Sequence, residues 1–312
     1  MPKIYIDGSA GTTGLRIHDR LSSRDDITPL QIDESLRKDI NERSRLINSA
    51  DITFLCLPDV AAKEAVSFAG ESARIIDAST AHRTAPGWSY GFPELSESHR
   101  QSIAASSRVA VPGCHASGVV AAVYPLVESG IIPADYPLCC FSLTGYSGGG
   151  KSMIAEYTDE NRSALFDAPR QYALTQAHKH LPEITAVCNL SSPPLFSPVV
   201  GDFYSGMEVT VQLHSKLLTK KLGINELTDF YRNYYASSKL ISVKNADEAA
   251  VSGFVSANAM SGIDAMVIIV GGNDDRITVT ALFDNLGKGA SGAAIQCMNI
   301  MLSCDETKGL II

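Results

Sequence analysis

The chain has 312 residues, 45% of them hydrophobic and 19% charged, so it is long enough for two ordinary domains and lacks the composition of a disordered protein. A formal net charge of −8 without a basic stripe argues against nucleic acid as a partner. No apolar run reaches the roughly 18 residues of a membrane span, and no signal-peptide pattern is present. Seven irregularly spaced cysteines fit neither a disulfide framework nor a zinc site, so we expect a metal-free cytoplasmic protein.

The first 110 or so residues alternate between strand and helix patterns. Strand patterns occur in "KIYID", "ITPLQI", "DITFLCLP", "ARIIDAS" and "SRVAVPG". Helix patterns occur in "LRIHDRLSS", around "INERSRLIN" and in "VAAKEAVSFAG". This alternation predicts an α/β domain with a doubly wound parallel sheet of the Rossmann type.

The pattern changes after Cys114. A helix pattern, "HASGVVAAVYPLVESG", is followed by longer strand-rich segments: "LCCFSLTGYS", "GMEVTVQLH", "AMVIIVGG" and "RITVTALFD". These segments predict an α+β domain with a mixed sheet. We therefore predict a nucleotide-binding domain over residues 1–113 and a catalytic domain over residues 114–284, with the apolar helix of residues 285–312 returning to the first domain.

A glycine-rich turn follows the first predicted strand. Gly8, Gly11 and Gly14 have the spacing G-x-x-G-x-x-G and lie between a strand and a helix, where backbone N–H groups attract a pyrophosphate. Plain turn glycines are the alternative. The choice between NAD and NADP stays open at this point. Asp33 has the position of an acid that holds the ribose of NAD, whereas other polar residues could bind a 2′-phosphate: Thr12, Thr13, Arg37 and Lys38.

"VPGCHASG" places Cys114 after a Pro-Gly bend, at the start of a predicted helix. The helix dipole lowers the pKa of a thiol there and favours the thiolate, so Cys114 is the candidate nucleophile; a small packing residue is the alternative. His178 and His180 in "AHKHLPEI" are two residues apart, and an extended segment would point both to one face. One could act as acid–base for the thiolate while the other holds an anionic substrate.

"DASTAHRT" places Arg83 just after a strand, at the edge where open α/β sheets bind ligands. Its guanidinium is suited to hold a phosphate with two hydrogen bonds, although an ordinary exposed arginine is the alternative. A dinucleotide loop, a nucleophilic cysteine and a histidine together fit a phosphorylating aldehyde dehydrogenase. In such an oxidoreductase the thiolate forms a thioester, and a nicotinamide exchanges hydride with the same carbon.

The segment "GYSGGGKS", residues 145–152, matches the phosphate-loop pattern of nucleoside triphosphatases. That loop normally follows the first strand of its own parallel sheet, whereas here a whole nucleotide-binding domain precedes it. We therefore predict a loop whose glycine N–H groups and Lys151 suit an anionic group without a triphosphate.

Seven stretches together resemble the N-acetyl-γ-glutamyl-phosphate reductases of arginine biosynthesis, in their shorter form. They are "IDGSAGTTGLRI", "IIDASTAHRT", "YGFPEL", "VPGCHASG", "GYSGGGKSMIAEY", "AHKHLPEI" and "DNLGKGASGAA", and they extend over nearly the whole chain. The resemblance implies two domains like those of aspartate-semialdehyde dehydrogenase, with NADP(H) as cofactor. It implies reduction of the γ-acyl phosphate to N-acetylglutamate γ-semialdehyde and phosphate through a thioester on Cys114.

The resemblance also implies roles for individual residues. One histidine of "AHKHLPEI" would be the acid–base, for which we favour His180, and His178 would help bind the substrate. Four further residues would contact the substrate: Arg83, Lys151, Ser147 and Glu183. Residues near the cofactor would be Gly8, Gly11, Thr12, Thr13, Gly14, Ser79, Gly148, Asn285 and Lys288.

Two other functions remain as alternatives. One is aspartate-semialdehyde dehydrogenase, whose substrate has a free amino group that would need a carboxylate partner; Glu183 is the residue to compare. The other is a non-catalytic NADPH-binding sensor. For the main interpretation we expect a small-molecule acyl phosphate as substrate, no nucleic-acid or membrane partner, and a homo-oligomer, either a dimer or a tetramer.

Overall fold

The computed structural model describes all 312 residues, and these separate into two compact units. The first comprises Met1–Pro112 and Ala290–Leu310, and the second comprises Gly113–Gly289 and Ile311–Ile312. The return to the first unit therefore begins at Ala290 rather than at the predicted residue 285. Gly287 belongs to the second unit because it packs against the backbone of that unit. A Cβ at Gly287 would lie 2.5 Å from the carbonyl oxygen of Ile263.

The first unit is built on a six-stranded sheet in which every pair of neighbouring strands is parallel. Its strands are β1 (Lys3–Asp7), β2 (Thr28–Leu30), β3 (Ile52–Leu55), β4 (Ile75–Asp77), β5 (Ser89–Tyr90) and β6 (Arg108–Ala110). Its helices are α1 (Thr12–Ser22), α2 (Ile40–Ser49), α3 (Asp59–Ser67), α4 (Glu97–Ala105) and, from the end of the chain, α10 (Gly292–Met301). The strand order, β2-β1-β3-β4-β6-β5, confirms the predicted doubly wound sheet.

Apolar residues cover both faces of this sheet, as a doubly wound sheet requires. On one face Ile17 of α1 packs with Phe54 of β3 and with Met298 of α10. On the other face Leu46 of α2 packs with Leu55 and Ala62. The order of the strands reverses between β1 and β3, and this is the point at which open α/β sheets bind ligands.

The second unit is built on a seven-stranded mixed sheet with the order β11-β12-β13-β10-β7-β9-β8. Its elements are α5 (Cys114–Glu128), β7 (Cys139–Gly145), α6 (Gly150–Thr158), β8 (Arg170–Gln171), α7 (Leu181–Val187), β9 (Leu195–Gly201), β10 (Met207–His214), α8 (Ile224–Tyr234), β11 (Ile241–Asn245), α9 (Ala246–Ala249), β12 (Met266–Gly272) and β13 (Arg276–Phe283). Two strand pairs are parallel, β7 with β9 and β11 with β12, and the other pairs are antiparallel. The predicted mixed sheet is confirmed.

Helix α5 is held tightly against this sheet. Gly118 brings the helix backbone against β10, since a Cβ there would lie 2.6 Å from Val209. The hydroxyl of Tyr235 donates to the carbonyl oxygen of Ala121 in α5 at 2.7 Å. The first turn of α5, which carries Cys114, is therefore placed by a rigid framework. None of the helices combines the length and apolar character that crossing a bilayer would require.

Candidate active site

The glycine-rich turn after β1 is a close backbone packing. Gly8 has a φ of +90°, and a Cβ there would lie 2.4 Å from the carbonyl oxygen of Cys56. A Cβ on Gly14 would lie 2.4 Å from the carbonyl oxygen of Gly8. Only glycine fits these two positions, because any side chain would push the turn away from β3 or the helix away from the turn.

The start of α1 faces a small cavity at the carboxyl ends of β1, β3 and β4. Helix α1 begins at Thr12 after Gly11, and no side chain caps it and no acid lies in its first turn. The first N–H groups and the positive end of the helix dipole are thus not neutralised by a side chain. The cavity has a volume of about 160 Å³ and is lined by Gly11, Thr12, Thr13, Cys56, Leu57 and Ala78. These residues fit a pyrophosphate.

A larger cavity of about 490 Å³ continues from Gly8 along β1 and β2, and Arg37 is one of its lining residues. Asp33 caps the short 3₁₀ helix Glu34–Leu36, and its carboxylate accepts hydrogen bonds from the N–H and hydroxyl of Ser35. These bonds lower the pKa of the Asp33 carboxyl. Asp33, the acid that favours NAD in the sequence, is thus engaged in a turn, while Arg37 lines the cavity and is paired there with Glu34.

The loop after β4 is organised by a buried carboxylate. Asp77 accepts hydrogen bonds from the N–H and hydroxyl of Ser79, and its Oδ2 lies 2.6 Å from Nδ1 of His82. The His82 ring stacks on Trp88 at a centroid distance of 4.2 Å. Arg83 donates from Nε to the carbonyl oxygen of Val111 at 3.0 Å, which ties the loop to the end of β6. Sequence reasoning missed Asp77 and His82, although both lie within the "DASTAHRT" stretch.

In the second unit, Cys114 is the first residue of α5, as predicted, and its side chain is partly exposed. The helix has no side-chain cap and no acid in its first turn. The buried carboxylate of Glu183 accepts a hydrogen bond from the N–H of Gly113 at 2.8 Å. The π-helical turn Gly287–Ser291 comes close as well, because a Cβ on Gly289 would lie 3.1 Å from Cβ of Cys114.

The two predicted histidines lie together, but not for the expected reason. His180 has α-helical dihedral angles, φ −88° and ψ −11°, and immediately precedes α7, so the segment is a turn and the expectation of an extended strand is wrong. The turn brings the ring centroids of His178 and His180 to 4.7 Å. The N–H of His180 donates to Nδ1 of His178 at 3.2 Å. Burial, with the charge of Lys179, lowers the pKa of His178 to about 4.

A third histidine, His115, joins this pair and was missed by sequence reasoning. Its ring centroid lies 5.2 Å from that of His178 and 5.6 Å from that of His180. Its two nitrogens contact Ser142 and Tyr172, and burial lowers its pKa to about 3. Its place next to Cys114 in the chain was the one available signal. No three His, Cys, Asp or Glu side chains are arranged to hold a metal ion.

The glycine loop "GYSGGGKS" is not the phosphate loop of a triphosphatase. Strand β7, which precedes it, lies between β10 and β9 and runs antiparallel to β10, whereas a triphosphatase loop follows a strand of a parallel sheet. After β7 come a 3₁₀ turn, Tyr146–Gly149, and then α6, on which Lys151 is exposed. The prediction that this loop belongs to another type of site agrees with that topology.

The same loop contacts the residues that follow β13. The Nδ2 of Asn285 donates to the buried hydroxyl of Ser147 at 3.0 Å, and a Cβ on Gly148 would lie 3.4 Å from that Nδ2. The Oδ1 of Asn285 accepts from the N–H of Gly206 at 2.9 Å. Lys288, three residues after Asn285, is fully buried. The structure therefore brings together three residues predicted to lie near the ligands: Ser147, Gly148 and Asn285.

Comparison with known protein families matches both units. Residues 3–103 match the model of the semialdehyde dehydrogenase NAD-binding domain, and residues 114–285 match that of the semialdehyde dehydrogenase dimerisation domain. N-acetyl-gamma-glutamyl-phosphate reductase 2 of Nostoc sp. is 44% identical over 99% of both chains. The corresponding reductase 2 of Pseudomonas putida is 40% identical over 99% of both chains, and the reductase of Brucella ovis is 44% identical over 96% of this chain.

Solved structures show the same fold at low sequence identity. Aspartate semialdehyde dehydrogenase II from Vibrio cholerae aligns with a TM-score of 0.73 at 15% identity, over 97% of this chain and 99% of that chain. The aspartate semialdehyde dehydrogenase from Francisella tularensis aligns with a TM-score of 0.73 at 14% identity, over 97% of this chain and all of that chain. At these identities the likeness concerns the fold alone.

Proposed function

Because the chain belongs to the N-acetyl-γ-glutamyl-phosphate reductase family, we propose that it reduces N-acetyl-γ-glutamyl phosphate to N-acetylglutamate γ-semialdehyde with NADPH, releasing phosphate. The observation that carries this proposal is a partly exposed thiol at an uncapped helix start beside a histidine cluster. The names of the curated relatives favour this reaction over that of aspartate-semialdehyde dehydrogenase. A non-catalytic sensor would have no need of such a cluster.

In the first half of the reaction, Cys114 is the nucleophile. Its sulfur attacks the γ-acyl carbon, the carbon–oxygen bond to phosphate breaks, and phosphate leaves with the electron pair. The dipole of α5 stabilises the thiolate that attacks. Arg83 and Lys151 are the cations that we assign to the phosphate, since charge-assisted hydrogen bonds hold phosphate oxygens well. Ser147 lies in the same glycine loop as Lys151 and is assigned to the substrate with it.

The two histidines of "AHKHLPEI" have different roles: one is a hydrogen-bond donor and the other is the acid–base. Nδ1 of His178 accepts the N–H of His180, so a neutral His178 carries its proton on Nε2. A ring that presents only an N–H is a hydrogen-bond donor and not a base. We therefore assign His178 to a substrate oxygen, and His180 to the proton that leaves the thiol and later returns.

When bound, NADPH would supply the hydride that reduces the thioester in the second half of the reaction. The turn from Gly8 to Gly14 would hold the pyrophosphate, with Thr12 and Thr13 at the helix start, and Arg37 would hold the 2′-phosphate in the larger cavity. Four further residues assigned to the cofactor are Ser79, Gly148, Asn285 and Lys288. Cys114 then leaves as the thiolate and the aldehyde is released.

Glu183 is the acid that sequence reasoning assigned to the substrate. Its hydrogen bond to Gly113 supports a positioning role at the start of α5, because it fixes the residue that precedes the nucleophile. Direct contact between Glu183 and the substrate stays a prediction. An acetamido group does not call for a carboxylate partner, which agrees with an acid that is engaged elsewhere.

Two wider properties belong to the same proposal. The matching family model of the second unit is described as a dimerisation domain, which supports self-association of this chain as a dimer or tetramer through residues 114–285. None of the seven cysteines forms a disulfide, which supports a reducing compartment such as the cytosol.

The test is the reverse reaction, followed at the absorbance band of the reduced nicotinamide. One arm contains N-acetylglutamate γ-semialdehyde, phosphate and NADP⁺, and parallel arms replace NADP⁺ by NAD⁺ or the aldehyde by aspartate semialdehyde. Reduction that requires both phosphate and the acetylated aldehyde supports the proposal. Activity with aspartate semialdehyde alone would assign the sister reaction, and NADPH binding without activity in any arm would favour the sensor.

A further inference from the structure

A buried chain of hydrogen bonds lies next to the nucleophile. His115 follows Cys114 in α5 and is 3% exposed. Its Nδ1 lies 2.7 Å from the hydroxyl oxygen of Ser142 in β7, and its Nε2 lies 2.6 Å from the hydroxyl oxygen of Tyr172. The chain Ser142–His115–Tyr172 therefore begins within the sheet and ends at a tyrosine beside the histidine pair, 5.7 Å from His178 between ring centroids.

The direction of these hydrogen bonds follows from the protons available. His115 is neutral near pH 7, because burial lowers its pKa to about 3, so one ring nitrogen donates and the other accepts. The side chain of Ser142 is fully buried and its hydroxyl has no hydrogen-bond partner but His115. If Ser142 accepted that bond, its own proton would be buried without an acceptor, which is costly. Ser142 therefore donates to Nδ1, and the proton of His115 lies on Nε2.

This arrangement leaves the hydroxyl of Tyr172 able to donate a hydrogen bond. The Nε2–H of His115 donates to the Tyr172 oxygen, so the phenol accepts this bond and its own O–H points to another acceptor. No protein group takes that proton, since His115 is the only hydrogen-bond partner of the hydroxyl. Burial and the charge of Cys114 raise the pKa of Tyr172, so the phenol stays protonated and Cys114 lies within electrostatic range.

We propose that the Tyr172 hydroxyl donates a hydrogen bond to the γ-carbonyl oxygen of the acyl group that Cys114 attacks, and that Ser142 and His115 position this donor. When the sulfur adds to the acyl carbon, the carbonyl π-electrons move onto that oxygen, which becomes an oxyanion. When the carbon–oxygen bond to phosphate breaks, phosphate takes the bonding pair and the carbonyl re-forms. A donor that meets the oxyanion lowers the barrier to acylation. The identity of the acyl group rests on the proposed function.

The experiment measures acylation without the nicotinamide. The full-length protein, with no NADPH added, is mixed with N-acetyl-γ-glutamyl phosphate, and the burst of inorganic phosphate is followed over a range of substrate concentrations. For Tyr172→Phe we expect a maximal burst rate roughly 100-fold lower, with half-saturation changed by less than about threefold. Alkylation of Cys114 by iodoacetamide should keep its wild-type rate and pH profile, because the donor acts on the acyl oxygen and not on the thiol.

Two further variants separate positioning from folding. Ser142→Ala removes the donor that sets the tautomer of His115, so we expect an intermediate loss of burst rate, about tenfold, although Ser142 does not touch the substrate. Tyr136→Phe is the matched control, because it also removes a buried tyrosine hydroxyl bonded in the second unit, here to the backbone N–H of His214. It should keep the wild-type burst even if its melting temperature falls.

Several results would overturn the inference. A wild-type burst in Tyr172→Phe would do so, as would a loss confined to half-saturation, which indicates a binding contact elsewhere on the substrate. If the alkylation rate of Cys114 fell by the same factor as the burst rate, Tyr172 would act on the thiol instead of on the acyl oxygen. A wild-type protein that shows no burst and no activity in the reverse assay would defeat the proposed function together with this inference. An active wild type beside a fully active Tyr172→Phe variant would defeat this inference alone.

Discussion

The two units build their sites by different physical means. In the first unit, one continuous stretch from Gly8 to Gly14 provides the site, and its contacts are backbone N–H groups, tight glycine packing and the start of α1. In the second unit, side chains converge from separate segments: the start of α5, the middle of β7, the residue after β8 and the turn before α7. The first arrangement is suited to hold a charged group, and the second is suited to move protons.

This difference predicts which measured property each substitution should change. A change in the glycine turn from Gly8 to Gly14 should alter cofactor affinity and leave the thiol chemistry intact, because the backbone cradle does not take part in proton transfer. A change among the side chains that converge near Cys114 should alter the chemistry and leave dinucleotide binding intact.

Cys114→Ser should have the largest effect. Loss of the nucleophile should lower turnover and the phosphate burst by at least about 10³-fold, as removal of a catalytic nucleophile does in other enzymes. NADPH binding, measured by quenching of protein fluorescence, should stay within about twofold of wild type. Cys304→Ser, at a partly exposed cysteine of the first unit, is the control and should keep full activity. Substantial turnover in Cys114→Ser would refute nucleophilic catalysis by this residue.

Replacing each histidine of the pair by asparagine should distinguish acid–base from donor. His180→Asn should lower kcat by about 10²- to 10⁴-fold and remove the corresponding limb of the pH–rate profile. His178→Asn should mainly raise KM, by about tenfold, because it loses one hydrogen bond to substrate. Steady-state kinetics over a range of pH values measures both. The opposite pattern would exchange the two roles.

Arg37→Ala tests the cofactor preference of the first unit. If Arg37 binds the 2′-phosphate, the affinity for NADPH should fall by about 10- to 100-fold while that for NADH stays nearly the same. Lys38→Ala, at the exposed neighbouring residue, is the matched control and should change neither affinity by more than about twofold. Equal losses for NADPH and NADH would show that Arg37 does not read the 2′-phosphate. The iodoacetamide reactivity of Cys114 should be unchanged.

The stability of the second unit should depend on pH through His115. Its pKa is about 3 in the folded protein and near 6.5 in the unfolded chain, so below pH 6.5 the unfolded state binds more protons. The free energy of unfolding should therefore fall by about 2 kcal/mol from this residue between pH 6.5 and 5. His115→Gln should lack that contribution in urea unfolding, whereas His18→Gln, at an exposed residue of α1, should retain it. Equal pH dependence in all three proteins would contradict the neutral buried state.

Much of the fold could be predicted from local pattern. Strand–helix alternation predicted the parallel sheet, and the longer strand patterns predicted the mixed sheet, because hydrophobic periodicity reflects which face of each element is buried. The glycine turn and the position of Cys114 at a helix start were also predictable, since both depend on residues that are neighbours in the chain. The expectation that His178 and His180 lie on an extended segment was wrong, because hydrophobic periodicity cannot distinguish a turn from a strand over only three residues.

Four features could be inferred from residues that are neighbours in the chain: the two sheet types, the glycine turn, a cysteine at the start of α5 and the family resemblance. The groups that surround the thiol, and the positions of their protons, depend instead on contacts between distant parts of the chain. Ser142 and Tyr172 are 27 and 57 positions away from His115, yet their oxygens lie 2.7 and 2.6 Å from its nitrogens. A neutral imidazole has one proton to donate, so its direction is set by the partners that folding brings to each side.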